Sequence, residues 1–339
     1  MTQGTTLAGN AADNALVLAV AACLERHVLP GQRVAVGLSG GMDSVALLRV
    51  LQQINAANAA NASSQGACVL SALHVHHGIS PHADQWDIFC RDYCARLRVP
   101  YVSVRVTVEA ASQEGLEAAA RRVRHAEFAA ADVDWIMLAH QRDDQAETLL
   151  FNLLRGSGVS GAAAMREKNG RLLRPLLSVG RAEVERYMRL HQLDWCEDES
   201  NADTRHARNF LRRNILPALT GRFPAAAKNL AAAAARFAEA QALLGALALV
   251  DLGDAAAEFP LELAKLRVLS EPRARNLLRY LLASHNVQIP SEARLREALR
   301  QMLAAAPDRH PAQAFGQHRL LRRRGWIYLE PVEECAARR

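Results

Sequence analysis

Short apolar runs alternate with helix-like segments over the N-terminal two thirds of the chain. Four runs predict buried strands, at residues 33–38, 68–75, 101–106 and 134–139. A segment of helical periodicity follows each run. This alternation is typical of the α/β class, in which helices cover the faces of a parallel sheet. We therefore predict a doubly wound, mainly parallel sheet.

Two of the predicted helices carry apolar side chains at three- and four-residue steps, the spacing of a face that packs on a core. The first begins near Asp43, and its face consists of Leu47, Leu48, Leu51 and Ile54. The second follows His82, and its face consists of Trp86, Phe89, Cys90, Tyr93, Cys94 and Leu97. Cys90 and Cys94 are therefore predicted to be core residues.

A low-complexity segment separates the first two strand–helix units. Residues 55–66 read NAANAANASSQG and contain no apolar side chain larger than alanine. We predict that this segment is a surface linker without a chemical role.

The last third of the chain has a helical pattern. An alanine-rich helix is predicted over residues 225–250, and two more over 272–284 and 291–305. The tail, residues 317–329, predicts a β-hairpin with its turn at Arg324-Gly325. We therefore predict two domains, residues 1–217 with the parallel sheet and residues 218–339, mostly helical and ending in a small hairpin.

Composition agrees with two soluble domains. The 339 residues are 50% hydrophobic and 22% charged, which excludes a disordered or fibrous chain. No apolar run is long enough to span a membrane, and residues 15–24 lack the basic start of a signal segment. The six cysteines form no CxxC pair, which argues against a disulfide scaffold or zinc ribbon and indicates the reducing cytoplasm.

Charge is distributed unevenly along the chain. The net charge is +6, and the entire excess lies after residue 219. Only Lys168, Lys228 and Lys265 among the 41 basic residues are lysines. Arginine binds phosphate with a two-pronged guanidinium, so the C-terminal third predicts a polyanionic partner. A GC-biased genome would also favour arginine over lysine, but it does not explain the asymmetry along the chain.

One loop has the composition of an anion-binding site. Strand 33–38 runs directly into Ser39, Gly40, Gly41, Met42, Asp43 and Ser44, which open a helix. Glycines permit a tight turn and a close backbone approach, and the amides at a helix start favour phosphate. Asp43 would repel phosphate unless a cation lay between them, so it is a candidate Mg²⁺ ligand. The loop lacks the GK[ST] of a Walker A motif, and a simple glycine turn capping a helix is the alternative.

This loop resembles the SGGxDS signature of the pyrophosphate-loop ATPases. The resemblance implies an adenine-nucleotide-binding loop that holds ATP and Mg²⁺. Members of this superfamily cleave ATP between its α and β phosphates, adenylate an oxygen of the substrate and release pyrophosphate.

Four further segments resemble the tRNA(Ile)-lysidine synthase family in order and spacing. They are residues 115–128, 140–165, 174–177 and 197–219. The resemblance implies that ATP adenylates the C2 oxygen of the wobble cytidine in an isoleucine tRNA with the anticodon CAU. The ε-amine of free L-lysine then displaces AMP, which gives lysidine. The implied class is a ligase that forms a carbon–nitrogen bond.

The loop and these segments together predict a reaction centre that contains Asp43, His140, Asp144 and Arg155. His140 follows a strand, at the sheet edge where α/β folds bind ligands. His140 and Asp144 would share a helical face, which Glu147 would extend, if the helix began early enough. For Asp143 and Asp144 the alternative is an acidic first turn that complements the helix dipole.

Several arginines and histidines have open alternatives. Arg155 precedes Gly-Ser-Gly, which suits a phosphate or cytidine contact or a helix C-cap. Arg121 and Arg124 are either a phosphate clamp or a solvated ridge. For the histidine cluster, which consists of His74, His76, His77 and His82, zinc binding is one hypothesis, and a nucleotide-lining role for His76 or His77 is another. The acidic run 197–199 is either a plain loop or part of the family motif.

The chain also departs from the family, because many relatives continue into a further C-terminal domain. The basic tail would then contribute to RNA binding, through Arg319, Arg322, Arg323, Arg324, Trp326 and Tyr328. A pyrophosphate-loop tRNA thiolase and a non-catalytic tRNA-binding protein are the alternative functions. The sequence leaves the oligomeric state open, a homodimer included.

Overall fold

A computed structural model describes residues 11–60, 67–109, 115–197, 199, 207–306 and 308–332. The chain divides into two compact units, Met1–Ala238 and Glu239–Arg339. This division falls within a long helix, after the predicted domain boundary between residues 217 and 218. The predicted boundary between residues 217 and 218 concerns function, as it separates a catalytic domain from an RNA-binding domain, and it stays a prediction.

The first unit contains a six-stranded sheet. Its strands are β1 (Arg33–Gly37), β2 (Val69–His76), β3 (Tyr101–Arg105), β4 (Trp135–Met137), β5 (Lys168–Asn169) and β6 (Leu172–Leu173). Their order is β3-β2-β1-β4-β6-β5, and only β5 runs antiparallel to its neighbour. The four strands predicted from sequence are β1 to β4, so the predicted mainly parallel sheet is confirmed.

One helix precedes the first strand of this unit, and helices follow β1 to β4 and β6. They are α1 (Ala11–His27), α2 (Met42–Ala60), α3 (Ala83–Leu97), α4 (Leu116–Ala130), α5 (Arg142–Leu154), α6 (Val159–Ala162), α7 (Arg181–Leu190), α8 (Ala207–Phe210), a π-helix (Leu211–Ile215) and α9 (Leu216–Arg222). Because successive residues of a strand face opposite sides, Val34 and Val36 enter the core with α1, α2, α3 and α7, while Ala35 packs with Phe128 of α4. Apolar cores on both faces confirm the doubly wound arrangement.

The predicted linker at residues 55–66 is partly helical, so that prediction is wrong for its first half. Helix α2 continues through Ala60, because alanine has the highest helix propensity and can extend a helix without an apolar face. The side chain of Asn55 also accepts a hydrogen bond of 2.8 Å from the amide of Cys68, next to β2. Residues 61–66 lie outside the described residues. Cys90 and Cys94 are fully buried in the core, as predicted.

The second unit packs helices against a small sheet. After the long helix α10 (Ala226–Leu252), in which the division falls, its elements are β7 (Leu261–Glu262), α11 (Leu263–Arg267), α12 (Glu271–Ser284), α13 (Glu292–Ala304), β8 (Ala312–Phe315), β9 (His318–Arg323) and β10 (Trp326–Pro331). The predicted hairpin is confirmed as β9 and β10, the middle pair of the antiparallel order β7-β10-β9-β8. Its apolar face, which includes Leu320 and Ile327, packs in one core with Leu277 and Leu281 of α12.

Helix α10 is long and apolar enough, by length and composition alone, to cross a membrane. Most of its residues are at least partly exposed, and two of its alanines pack in protein cores. Ala234 is buried with Leu149 of α5, and Ala248 is buried in the core of the second unit. The absence of a membrane association stays a prediction.

Arg322 does not have the predicted role of an RNA contact. Its side chain is buried, and its Nη1 donates to the carbonyl oxygens of Met302 at 3.0 Å and Ala305 at 2.7 Å, at the C-terminal end of α13. The guanidinium therefore satisfies carbonyl groups that a helix end leaves without partners. Arg319 and Arg323 remain on the surface, each 3.2 Å from a carboxylate oxygen of Glu330.

Replacing Arg322 with alanine is expected to lower the free energy of unfolding by about 1–3 kcal/mol, because buried carbonyl oxygens lose their donor. Urea denaturation of the purified chain measures this change. Arg323→Ala is the matched control, and an exposed ion pair contributes less than about 1 kcal/mol. Equal losses in the two variants would contradict the capping role.

Candidate active site

The loop of residues 39–44 connects β1 to α2 at the carboxyl edge of the parallel sheet. Gly40 has a φ of +84°, a left-handed conformation that side chains rarely adopt. The hydroxyls of Ser39 and Ser44 lie 3.1 Å apart, and the Ser44 hydroxyl donates to the carbonyl of Gly41 at 2.9 Å. Two hydroxyls and the first amides of α2 therefore lie together, as an anion site requires.

Two cysteines hold this loop from behind. A Cβ atom on Gly40 would lie 3.2 Å from the Sγ of Cys90 and 3.5 Å from the Sγ of Cys196. The amide of Cys196 also donates to the carbonyl of Gly40 at 2.9 Å. Glycine is thus required at position 40 both by its backbone conformation and by the close approach of these side chains.

The loop opens into a cavity of about 1030 Å³. The carboxyl ends of β1, β2 and β4 line it, together with side chains from α3, α4 and α5 and the π-helix. Ligands in open α/β sheets bind at this edge. Of the predicted reaction-centre residues, Asp43, His140 and Asp144 line this cavity.

Asp43 has the environment of a cation ligand. Its Oδ1 is buried and accepts no hydrogen bond from the described residues. Burial, followed by the negative charge of Asp144, raises the pKa of Asp43 to about 7, although Arg181 and Arg212 oppose this shift. A bound divalent cation would use the free carboxylate oxygen and favour the ionised form.

The cavity therefore fits Mg²⁺ through Asp43. In the described part of the chain, no group of three or more His, Cys, Asp or Glu residues could hold a metal by itself. Mg²⁺ suits such a site, because proteins commonly bind it through one or two carboxylates while substrate phosphates and water supply the other ligands.

A second acidic group lies on α5 and is bound by Arg212. The Nε and Nη2 of Arg212 donate to the two carboxylate oxygens of Glu147 at 2.6 and 2.8 Å, and Nη2 also donates to Oδ1 of Asp144 at 2.8 Å. The other oxygen of Asp144 accepts the amide of Gln141 at 2.9 Å, which caps the helix. Burial raises the pKa of both carboxyl groups. These bonds fix the positions of both carboxylates.

Arg212 is a residue that sequence reasoning did not single out. It lies in the π-helix within segment 197–219, which resembles the lysidine synthase family. Arg212 and Arg213 are adjacent, and only the helix geometry shows that Arg212 binds the carboxylates. π-Helices are often found at functional sites, but sequence gives no clear signal for them.

His140 lies before α5, so the predicted helical face shared with Asp144 does not form. Helix α5 begins at Arg142 because Gln141 has an extended conformation as its N-cap. Burial, followed by the positive charges of Arg174, Arg121 and Arg124, lowers the pKa of His140 to about 3. Its buried Nδ1 has no partner within the part of the chain that the structure describes. A neutral imidazole in this position can form a hydrogen bond with a ligand in the cavity.

This pKa predicts a specific pH dependence of stability. Between about pH 3 and 6.5 the unfolded chain binds a proton at His140 and the folded protein does not, so acid favours unfolding. His140→Gln is therefore expected to make stability less sensitive to acid, by about 2 kcal/mol between pH 7 and pH 4.5. Urea denaturation at the two pH values measures the difference. An unchanged pH dependence would contradict the buried neutral imidazole.

The structure does not bring Arg155 to the cavity. Arg155 is the exposed C-cap of α5, with its guanidinium 5.2 Å from the ring centre of Phe151, and Gly156 follows with a φ of +76°. This is the helix-cap alternative. Among the described residues, Arg155 is not one that lines the cavity, whereas Arg121 and Arg124 do. A role for Arg155 in the reaction stays a prediction.

The histidine cluster separates into two roles. His77 and His74 line the cavity, whereas Nε2 of His76 lies 3.1 Å from Oδ1 of Asp84. The Nδ1 of His74 lies 2.8 Å from the carbonyl oxygen of Leu38, which fixes this ring at the end of β1. Burial lowers the pKa of His77 to about 4. Of the two candidates for a nucleotide-lining role, His77 is therefore the better placed.

Two other expectations concern acidic residues near the cavity. Oδ2 of Asp143 accepts a 3.0 Å hydrogen bond from the amide of Arg181, at the start of α7. This position in the first turn of α5 agrees with the helix-dipole alternative for Asp143. Glu197 and Glu199 line the cavity, and residue 198, the remaining member of the run, lies outside the described residues.

Comparison with known families agrees with this site. Residues 16–219 match the model of the PP-loop domain, and residues 261–328 match that of the TilS substrate binding domain. The fold and its loop therefore define a PP-loop protein. A solved structure with this fold, the U34-tRNA thiolase NcsA from Methanococcus maripaludis, has a TM-score of 0.55 and 18% sequence identity. The match covers 67% of this chain and 80% of the thiolase.

Curated relatives narrow the class. A tRNA(Ile)-lysidine synthase from Nitrosomonas europaea is 43% identical, over 85% of this chain and 62% of its own length. One from Aromatoleum aromaticum is 45% identical, over 78% and 61%. One from Alkalilimnicola ehrlichii is 40% identical, over 91% and 70%. The chain belongs to the tRNA(Ile)-lysidine synthase family, and it spans little more than 60% of the length of the first two relatives.

Proposed function

We propose that this chain catalyses the ATP-dependent ligation of lysine to C2 of the wobble cytidine in an isoleucine tRNA with the anticodon CAU. The products are lysidine, pyrophosphate and AMP. One observation supports this proposal above all others. The SGGMDS loop, the free carboxylate oxygen of Asp43 and the Asp144–Glu147–Arg212 cluster belong to one cavity.

The proposed reaction has two steps. In the first, the C2 oxygen of cytidine attacks the α-phosphorus of ATP, and the bond to pyrophosphate breaks. In the second, the neutral ε-amine of lysine attacks C2, the bond to the AMP oxygen breaks, and the amine nitrogen loses a proton. Adenylation thus converts a poor leaving group into a good one before the carbon–nitrogen bond forms.

Residues of the cavity have distinct proposed roles in these steps. Residues 39–44 would bind phosphate through hydroxyls and helix-start amides. Asp43 would hold Mg²⁺, which offsets negative charge on the phosphates when it is bound. The neutral imidazole of His140 would position the nucleotide or cytidine by a hydrogen bond.

The acidic side of the cavity suits a cationic amino acid. Asp144 and Glu147 share the single guanidinium of Arg212, and Asp143 and Glu197 also line the cavity. With Asp43 and Glu199, six carboxylates line the cavity against five arginines, of which Arg212 binds two carboxylates directly. We propose that free L-lysine, which is cationic at neutral pH, is attracted to this side of the cavity.

We propose an RNA partner because positively charged arginines also line the cavity. Arg121, Arg124 and Arg213 line the cavity and suit phosphate groups of an anticodon loop. The second unit, which contains the match to a substrate binding domain, would supply further contacts. We also propose that the enzyme acts in the cytoplasm, where it would meet tRNA and ATP.

A thiolase is the second candidate, because two cysteine sulfurs lie beside Gly40 of the loop. Burial raises the pKa of the Cys90 thiol well above its usual range, and burial also raises that of Cys196. Such thiols are poor nucleophiles at neutral pH. The geometry therefore favours a packing role for both cysteines.

Mass spectrometry of nucleosides from the reacted tRNA distinguishes the two functions. With ATP, lysine and tRNA, the proposed function predicts a cytidine that carries one lysine less one water. A sulfur-containing nucleoside, formed when a sulfur donor is supplied, would support the thiolase. An unchanged nucleoside under both conditions would leave a tRNA-binding role.

A further inference from the structure

Two of the chain's four tryptophans are on the wall of the cavity. Trp86 and Trp195 both line it, in a chain whose aromatic content is only 5%. Trp195 is 37% exposed, although tryptophan offers the largest apolar surface of any side chain. A partly exposed tryptophan in a cavity is a surface on which a planar ligand can be buried.

Each of the two tryptophans is close in sequence to a cysteine that packs against the phosphate-binding loop. Trp86 is one helical turn before Cys90 on α3, and Trp195 immediately precedes Cys196. Both cysteine sulfurs lie within 3.5 Å of the position that a Cβ on Gly40 would occupy. The two tryptophans are therefore attached to the two segments that pack against this loop from behind.

A backbone hydrogen bond and a side-chain contact position the residues that follow Trp195. The hydrogen bond of 2.9 Å from the Cys196 amide to the Gly40 carbonyl fixes the residue after Trp195 to the loop. Nε2 of His82, the N-cap of α3, lies 3.5 Å from a carboxylate oxygen of Glu199. Cys196 thus contacts the loop and Glu199 contacts the start of α3, which constrains the position of Trp195.

We propose that Trp195 and Trp86 form a stacking surface for a nucleobase at the loop end of the cavity. This inference rests on the proposed function, which supplies two sources of a base, the adenine of ATP and a base of the anticodon loop. Either base has a π-face, and stacking on an aromatic side chain tolerates both. Phosphates bound at residues 39–44 would hold an attached base close to the tryptophans.

Fluorescence titration tests this proposal. The intrinsic emission of the chain is followed as Mg·ATP is added, and separately as an anticodon stem-loop RNA with cytidine at the wobble position is added. We expect at least one probe to quench the emission. Trp195→Leu is expected to remove most of that quench and to weaken the affinity for the same probe roughly 5- to 100-fold. Trp195→Phe, which keeps an aromatic face, is expected to retain affinity within a few-fold.

Trp135→Phe is the matched control. Trp135 lies at the amino end of β4, away from the cavity edge, and its Nε1 donates to Oε1 of Gln32 at 2.9 Å. This variant is expected to keep both affinities and the ligand-induced quench. A loss limited to ATP assigns the surface to adenine, and a loss limited to the stem-loop assigns it to an RNA base.

Unchanged affinity for both probes in Trp195→Leu and Trp86→Leu would overturn the stacking surface. So would equal losses in Trp195→Leu and Trp195→Phe. Lysine incorporation by the wild-type chain is measured in parallel. If incorporation is absent but the quench depends on Trp195, the proposed function fails and the stacking surface stands. If incorporation occurs and all affinities are unchanged, only the stacking surface fails.

Discussion

Asp43→Asn is expected to reduce tRNA-dependent pyrophosphate release by about 10²–10³-fold or more. The variant lacks the negative carboxylate that would hold Mg²⁺ at the reacting phosphates. Affinity for tRNA should stay nearly unchanged, since the cavity arginines remain.

The same substitution should stabilise the free protein. Burial raises the pKa of Asp43 to about 7, whereas the unfolded chain has the ordinary value of 3.8. Between these pH values the folded protein binds a proton that the unfolded chain has lost, so the free energy of unfolding falls as pH rises. At pH 8, asparagine should therefore add about 1–3 kcal/mol to the free energy of unfolding.

Three measurements on the same samples test this expectation: pyrophosphate release, tRNA binding and urea denaturation at pH 8. Asp132→Asn is the matched control, because Asp132 is an exposed carboxylate paired with Arg33. That variant should release pyrophosphate at the wild-type rate. Loss of both turnover and tRNA binding in Asp43→Asn would instead show that the loop is structural.

Arg212→Ala is expected to have the largest effect on stability. It removes the partner that makes three hydrogen bonds with Asp144 and Glu147, and both carboxyl groups are buried or nearly so. Removing one member of a fully buried ion pair costs about 3–5 kcal/mol, because a charge remains without a partner. The Arg212 side chain is 35% exposed, so water screens part of the effect and we expect a loss of about 2–3 kcal/mol. Turnover should fall as well, since the carboxylates lose their fixed positions. Urea denaturation and lysine incorporation measure the two losses.

A double variant separates the charge effect from a general packing defect. Arg212→Ala with Glu147→Gln removes one of the unpaired charges, so it should regain part of the lost stability while activity stays low. Arg213→Ala is the neighbouring control for stability, with an expected change below about 1 kcal/mol. Equal destabilisation by Arg212→Ala and Arg213→Ala would contradict the role of the carboxylate cluster.

Sequence predicted the fold well where the hydrophobic pattern was strong. Strands β1, β2 and β4 are largely buried, and such strands produce continuous apolar runs that are visible in the sequence. The prediction of a buried strand at residues 101–106 is wrong in one respect, because β3 forms an edge of the sheet and Val102 is exposed. The two-residue strands β5 and β6 were missed, because two residues produce no period. The end of α2 was missed because Ala and Asn at residues 55–60 lack an apolar face.

The candidate site was predicted in part, for a related reason. The loop and His140 were identifiable because they follow apolar strands, and a strand end determines position at a sheet edge. Arg212 is distant in sequence from Asp144 and Glu147, and its orientation depends on tertiary packing. The role of Arg322 could not be predicted for a similar reason. An arginine can cap a helix inside the protein or contact RNA on the surface, and the sequence alone does not distinguish these roles.

The most direct test of the proposed function is a single assay with this chain, purified isoleucine tRNA, ATP and labelled lysine. The proposal predicts one lysine incorporated for each pyrophosphate released, with both dependent on the CAU anticodon and abolished in Asp43→Asn. Pyrophosphate release without lysine incorporation, or equal incorporation into tRNAs that lack this anticodon, would contradict it.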